Sequence, residues 1–242
     1  MNNKRQALIT GANKGIGLAI AKGLAEAGFF VWIGARDVAR GEHAVAELRK
    51  AGLDAGFLEL DVADDASVQD AATTLAAHIE ALDVLVNNAG IAVDMTRAPS
   101  QVRMRDMKAV YEVNLFGPVR VTQAFLPLLK AADQARVVMM GSGVGSLTLI
   151  TDPTSLYSTV NLLDYTSSKV ALNAVTVSFA KELAPLGIKV NAVEPGHVRT
   201  DLNGNSGVLT PEEGAAIAIK MALLESDGPT GGFFGSHGRQ PW

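Results

Sequence analysis

The sequence contains no cysteine, which excludes a disulfide framework, thiolate metal sites and a thiol nucleophile. No apolar run approaches the roughly 18 residues that would read as a membrane span. There is no low-complexity tract, internal repeat or Pro/Ser-rich linker. Neither sign of charge dominates: 21 Lys and Arg face 25 Asp and Glu, for a formal net charge of -4. A basic stripe of the kind nucleic-acid binders carry is missing. The four histidines, His43, His78, His197 and His237, are scattered without ligand-like spacing, so no metal site is expected. The polar start, Met1 to Arg5, leads only into Gln6-Ala7-Leu8-Ile9-Thr10, too short for a secretory h-region. These absences lead us to expect a soluble, cytoplasmic protein with no nucleic-acid or membrane partner, folded as one domain over residues 1–242.

What the chain does have is apolar residues and glycine. Hydrophobic residues make up 48% of it, and 24 of its 242 residues are glycine, about 10% against roughly 7% in average proteins. That is ample for a sizeable core and rules out disorder. Short apolar runs alternate with longer helical stretches. Strands are expected at Ala7–Thr10, Phe29–Gly34, Gly56–Leu60, Asp83–Val86, Arg136–Met140 and Ile188–Val193, with a short seventh at Gly232–Phe234. Helices are expected over Ile16–Ala27, Val38–Ala51 and about Ala66–Glu80, and from Tyr165 through Leu183. Strands spaced by single helices imply parallel pairing through right-handed crossovers. The expectation is an α/β fold: a doubly wound, mostly parallel sheet of about seven strands with helices on both faces.

Between the first strand and the first helix lies Thr10-Gly11-Ala12-Asn13-Lys14-Gly15-Ile16-Gly17. A glycine-rich turn in that position sets backbone N–H groups and a helix N-terminus against a pyrophosphate. It is not a P-loop, because no Gly-Lys-Ser/Thr follows; a purely structural turn is the alternative. Arg36 sits just past the second strand, where the adenosine ribose lies in such a fold. An acidic residue there binds the 2′-hydroxyl of NAD, whereas an arginine accommodates the 2′-phosphate of NADP. Lys14 adds a second positive charge. Asp37, 20 residues beyond Gly17, stands at the usual offset of the acidic NAD ligand, but it also precedes the helix starting at Val38 and can cap it. We read Asp37 as the cap and the cofactor as NADP(H).

Tyr165 and Lys169, four residues apart on a helix, share one face. An ammonium near a phenol stabilises the phenolate, and together with a nearby cationic nicotinamide ring it is expected to lower the phenol pKa from about 10. An incidental surface pair is the bland alternative. Ser142 closes the fifth strand, on the carboxyl edge where such sheets bind ligands, and offers a hydroxyl to a carbonyl oxygen. A Gly-x-Ser-x-Gly nucleophile elbow fails, because Met140 stands at the first glycine.

These residues together resemble the short-chain dehydrogenase/reductase family, over essentially the whole chain. The glycine motif is Thr10 to Gly17. The adenine-binding acidic pair is Asp61-Val62, and Asn87-Asn88-Ala89-Gly90 matches the Asn-Asn-Ala-Gly motif. Asn114, Ser142, Tyr165 and Lys169 match the catalytic tetrad. Pro195-Gly196, followed by Val198 and Thr200-Asp201, matches the segment holding the nicotinamide carboxamide. The resemblance implies a Rossmann fold. It implies a cofactor site made by Gly11, Asn13, Lys14, Gly15, Ile16, Gly17, Arg36, Asp61, Val62, Asn88, Ala89, Gly90, Tyr165, Lys169, Pro195, Gly196, Val198 and Thr200. Lys14 with Arg36 is similar to NADPH-preferring members, carbonyl reductases in particular.

By the same resemblance, Tyr165 is the general acid in carbonyl reduction and Ser142 holds the substrate oxygen. Lys169 binds the nicotinamide ribose and lowers the tyrosine pKa, and Asn114 anchors a water in a proton relay. An NAD-linked alcohol dehydrogenase and a non-catalytic dinucleotide sensor are the alternatives; the sensor would show a damaged tetrad. The expected partner is a small carbonyl or alcohol substrate, and the expected assembly a homo-oligomer, dimer or tetramer, through the helices bearing Asn114 and Tyr165. One departure stands out: Ser142 and Tyr165 are 23 residues apart, where the family usually has about a dozen. The extra segment, around Leu149 to Leu163, either walls the substrate pocket, alters a subunit contact, or is a tolerated surface loop.

Overall fold

Each apolar run becomes a strand because it has somewhere to bury both faces. In the computed structural model, which describes residues 4–242, Leu8 of the first strand packs into a core on one side of the sheet and Ala7 and Ile9 into a second core on the other. Val137 and Met139 are divided from Val138 and Met140 in the same way, the period-two consequence of a strand covered on both faces. Met1–Asn3, the start of the polar lead, lie outside the described residues.

The elements run β1 (Gln6–Thr10), α1 (Gly15–Glu26), β2 (Phe30–Ala35), α2 (Val38–Lys50), β3 (Ala55–Glu59), α3 (Asp65–Ala76), β4 (Val84–Asn87), α4 (Met104–Tyr111), α5 (Gly117–Ala131), β5 (Arg136–Met140), α6 (Leu147–Thr151), α7 (Leu163–Leu183), β6 (Lys189–Val193), α8 (Pro211–Ala222), β7 (Phe233–Gly235) and β8 (Gly238–Gln240). The sheet order is β3-β2-β1-β4-β5-β6-β7-β8. All pairs are parallel except β7 with β8. Helices α1, α2 and α8 supply Ile20, Leu24, Val45, Leu48, Ala218 and Met221 to one core. Helices α3, α5 and α7 supply Leu75, Phe125, Leu129, Leu172 and Phe179 to the other. This is the doubly wound Rossmann arrangement. The chain reverses its direction of winding between β1 and β4, and a crevice opens there at the carboxyl ends of the strands.

Three expectations are corrected. The sheet has eight strands, because the chain turns back at Gly238, whose φ of 109° suits glycine, and Gly238–Gln240 pairs antiparallel with β7. The third helix stops at Ala76 rather than Glu80, as the chain leaves to dock Leu82 N–H on Leu128 C=O and Asp83 N–H on Gln6 C=O. The crossovers after β4 and β5 each hold two helices, not one. Between α4 and α5 a π-helical turn, Glu112–Phe116, carries Asn114. Among the described residues no helix is long and apolar enough to cross a membrane.

Candidate active site

The turn after β1 is shaped by its glycines. Gly11 and Gly15 hold φ of 63° and 56°, where a Cβ is strained. A Cβ on Gly17 would lie 2.5 Å from Asn88 Nδ2 and 2.6 Å from the Gly11 carbonyl oxygen. Asn88 locks the turn by donating to the carbonyls of Thr10 (2.8 Å) and Gly11 (3.2 Å), while Thr10 Oγ1 accepts from the N–H groups of Asn88 and Ala89, both at 3.0 Å. The β1 turn and the end of β4 are thereby one rigid lip.

Over that lip lies a cleft of about 710 Å³, within the range of small-molecule and cofactor sites. Of the residues expected to hold a dinucleotide, Gly11, Asn13, Lys14, Gly15, Ile16, Gly17, Arg36, Asp61, Val62, Asn88, Ala89, Gly90, Tyr165, Lys169, Pro195 and Thr200 line it. Gly196 and Val198 do not. Gly196 makes the turn after β6 at φ 80°. Val198 is buried, and its side chain fills the space a Cβ on Gly214 of α8 would occupy; both residues shape the loop rather than face the cleft. At the far end Arg36 is joined by Arg40, one turn into α2. Asp37 accepts from Arg40 N–H at 3.0 Å and caps α2. Sequence reasoning missed Arg40, although its place three residues after a helix cap puts it on the same end as Arg36. Asp201, read in the sequence only as part of the nicotinamide-carboxamide segment, lines the cleft and pairs with Lys14 at 2.6 Å. That pair joins residues 187 apart, and no local signal announces it.

At the other end Tyr165 and Lys169 project from the first turns of α7. The Lys169 ammonium donates to the Met140 carbonyl at 2.7 Å and lies 5.6 Å from the Tyr165 ring centre. Burial pushes Lys169 down to about 8 and pushes Tyr165 up to about 12, with a hydrogen bond from Ser142 pulling the other way. Desolvation of the phenol sets this direction, whereas the expected lowering counts on a cationic nicotinamide ring together with Lys169. Ser142, at the mouth of β5, meets the phenol rather than the long axis of the cleft. Asn114 is fully buried behind the cleft. Its Nδ2 donates to Ile91 C=O (2.9 Å) and Ser168 Oγ (3.2 Å), and its Oδ1 accepts from Ile91 N–H (2.8 Å). Both amide N–H groups are engaged, so the side chain braces the loop after β4 against α7.

A glycine turn on a helix N-terminus, a cationic far end and a Ser-Tyr-Lys group at the near end recur in known proteins. Residues 5–208 match the short chain dehydrogenase family. The chain belongs to that family. Among family relatives it is 35% identical to short-chain dehydrogenase/reductase 1 of Saponaria officinalis, covering 96% of this chain and 94% of the relative. It is 34% identical to carbonyl reductase [NADPH] 1 of Sus scrofa, covering 96% and 92%. An NADPH-bound carbonyl reductase from chicken fatty liver superposes with a TM-score of 0.87 at 29% identity, over 99% of both chains. The Saponaria alignment runs over 285 residues against 242 here, so that relative carries internal stretches this short chain dehydrogenase lacks. As a member of this family it is an oxidoreductase acting between carbonyl and alcohol groups. Among the described residues no cluster of metal-ligating side chains occurs.

Proposed function

We propose that this oxidoreductase is an NADPH-dependent carbonyl reductase that reduces a ketone or aldehyde to an alcohol. The observation that carries the reading is one cleft with Lys14, Arg36 and Arg40 at one end and Tyr165 with Lys169 at the other, the spacing of functions a dinucleotide phosphate would span. The glycine turn fits the group: its open φ values and the absence of side chains at Gly11, Gly15 and Gly17 leave backbone N–H groups free to approach a pyrophosphate. Arg36 and Arg40 suit a 2′-phosphate, since a guanidinium fork pairs with phosphate oxygens at any working pH. Asp37 lines the cleft, but its Oδ1 caps α2 and its Oδ2 meets the Arg40 guanidinium at 3.3 Å, so its carboxylate already has partners, which favours NADP(H) over the NAD-linked reading.

NADPH, when bound, supplies the hydride. Tyr165 holds the proton that passes from its Oη to the carbonyl oxygen as the carbon is reduced. Its raised pKa keeps that proton in place until the substrate needs it. Ser142 donates to the same oxygen and stabilises the charge developing on it. Lys169, fixed by Met140, keeps a positive charge beside the phenol and would hold the nicotinamide ribose. Asn114 positions the Ile91 loop and α7 relative to each other. The substrate is a small, uncharged carbonyl compound. The test is a panel of ketones and aldehydes run with NADPH and NADH, followed at the nicotinamide absorbance. Tyr165→Phe is expected to abolish most turnover while sparing NADPH binding; near-normal rates in that variant would remove Tyr165 as the acid.

A further inference from the structure

The segment that separates Ser142 from Tyr165 is anchored to the rest of the fold, by Asn173 donating to the Gly145 carbonyl at 2.9 Å and at two points beyond it. Near its start, Thr148 donates through both Oγ1 (2.8 Å) and its N–H (3.2 Å) to the Trp242 carbonyl, and Trp242 stacks on Phe233 of β7. Further along, the Tyr157 hydroxyl donates to Glu194 Oε1. Strands β5 and β6 pair through Met140 and Val193, so Gly141-Ser142-Gly143 and Glu194 leave the sheet side by side. Tyr157 bridges these two exits. A Cβ placed on Gly143 would lie 2.2 Å from Tyr157 Cζ and 2.6 Å from its hydroxyl. Gly143 has no positive φ, so it is the ring, and not the backbone, that requires glycine there. The ring thus sits against the residue next to Ser142, on the sheet edge where the carbonyl oxygen is to be held.

We infer that Tyr157, held by Glu194, is the specificity-determining wall of the carbonyl site, and that the segment before Tyr165 exists to deliver it. The inference rests on the carbonyl-reductase reading. Burial and the adjacent carboxylate both favour the protonated phenol, so the hydroxyl stays a donor and the ring stays in place across the working pH range. Tyr157 is a positioning residue: it limits the room beside Ser142 rather than exchanging protons with substrate.

The experiment compares kcat/KM for a compact methyl ketone and a bulky aryl ketone, with NADPH, in wild type and variants. Tyr157→Ala empties the wall and should raise the bulky-to-compact ratio about tenfold, the scale on which a pocket discriminates by size. The change should fall in the KM of the ketone and leave the KM for NADPH alone. Glu194→Ala should shift the ratio the same way, whereas Glu194→Gln, which keeps an acceptor, should restore most of the selectivity. Gly143→Ala should be poorly tolerated alone and tolerated in combination with Tyr157→Ala, a coupling that melting temperature reads without turnover. A ratio unmoved in Tyr157→Ala, or Gly143→Ala equally harmful in both backgrounds, overturns the inference while leaving carbonyl reduction standing. Wild-type protein that turns over neither ketone nor any other carbonyl overturns the reductase reading and the wall with it.

Discussion

Lys14 and Lys169 are both cations in one cleft, and their surroundings set them to different tasks. Lys14 is more than half exposed and paired with an equally exposed Asp201, an ion pair worth little in water. It can leave Asp201 for a phosphate at small cost. Charged hydrogen bonds contribute roughly 1.5–3 kcal/mol each, so Lys14→Ala combined with Arg36→Ala should weaken NADPH by on the order of 10²-fold or more and leave NADH nearly unchanged. Apparent KM values for both cofactors check this; equal losses would mean the two residues do not read the 2′-phosphate. Lys169 is buried, and its pKa sits at about 8, so the ammonium is present below that pH and disappears above it. Tyr165, at about 12, stays protonated throughout. Reduction is therefore expected to fall as pH rises through about 8, because the charge beside the phenol is lost and not because the acid is. The pH profile of kcat/KM, which reports groups of the free enzyme, tests this, and a flat profile from neutrality into the alkaline range would contradict it.

At the level of elements, the glycine turn works because α1 starts where β1 stops and Asn88 of the neighbouring strand end fills the space between. Gly17→Ala would push a methyl group into Asn88 Nδ2 and the Gly11 carbonyl, and backbone gives way less readily than a flexible side chain. We expect a loss of about 1–3 kcal/mol from overpacking, and loss of NADPH binding because the N–H groups of the turn move. Fluorescence titration of NADPH together with a melting curve separates the two effects; unchanged binding would show that the turn tolerates the shift. The capping of α2 by Asp37 is a second element-level device, since a single side chain both starts the helix and meets the Arg40 guanidinium at 3.3 Å, at the end of the cleft that Arg36, Asp37 and Arg40 line together.

Over the whole molecule, two cores on opposite faces of one sheet leave the outer sides of α5 and α7 available. Phe116, just before α5, and Leu163, at the start of α7, are 48% and 39% exposed. Those helices flank the π-turn of Asn114 and the start of Tyr165's helix, and an isologous pairing there would hold both in place. We propose a dimer or tetramer through this face. Light scattering should give a multiple of the 25.3 kDa chain mass, and a stable monomer would count against it.

The sequence by itself determined the alternation of strands and helices, the position of the glycine turn and the shared helix face of Tyr165 and Lys169, because these rest on local rules; Ser142 joined that pair through the family resemblance. Strands covered on both faces are continuous apolar runs, a phosphate-binding turn needs glycine between strand and helix, and four residues make one helical turn. Strand ends within a residue or two, the cap at Asp37 and the parallel sheet were legible for the same reason. Only the tertiary structure decided what depends on residues far apart in the chain. It set Lys14 against Asp201, tied up both amide donors of Asn114 with Ile91 and Ser168, and drew Val198 away to pack on α8. It brought Tyr157 onto Gly143 and Glu194. It also set the desolvation of Tyr165 and Lys169, because desolvation is a property of everything packed around a group, while spacing along a helix reports only its neighbours on one face.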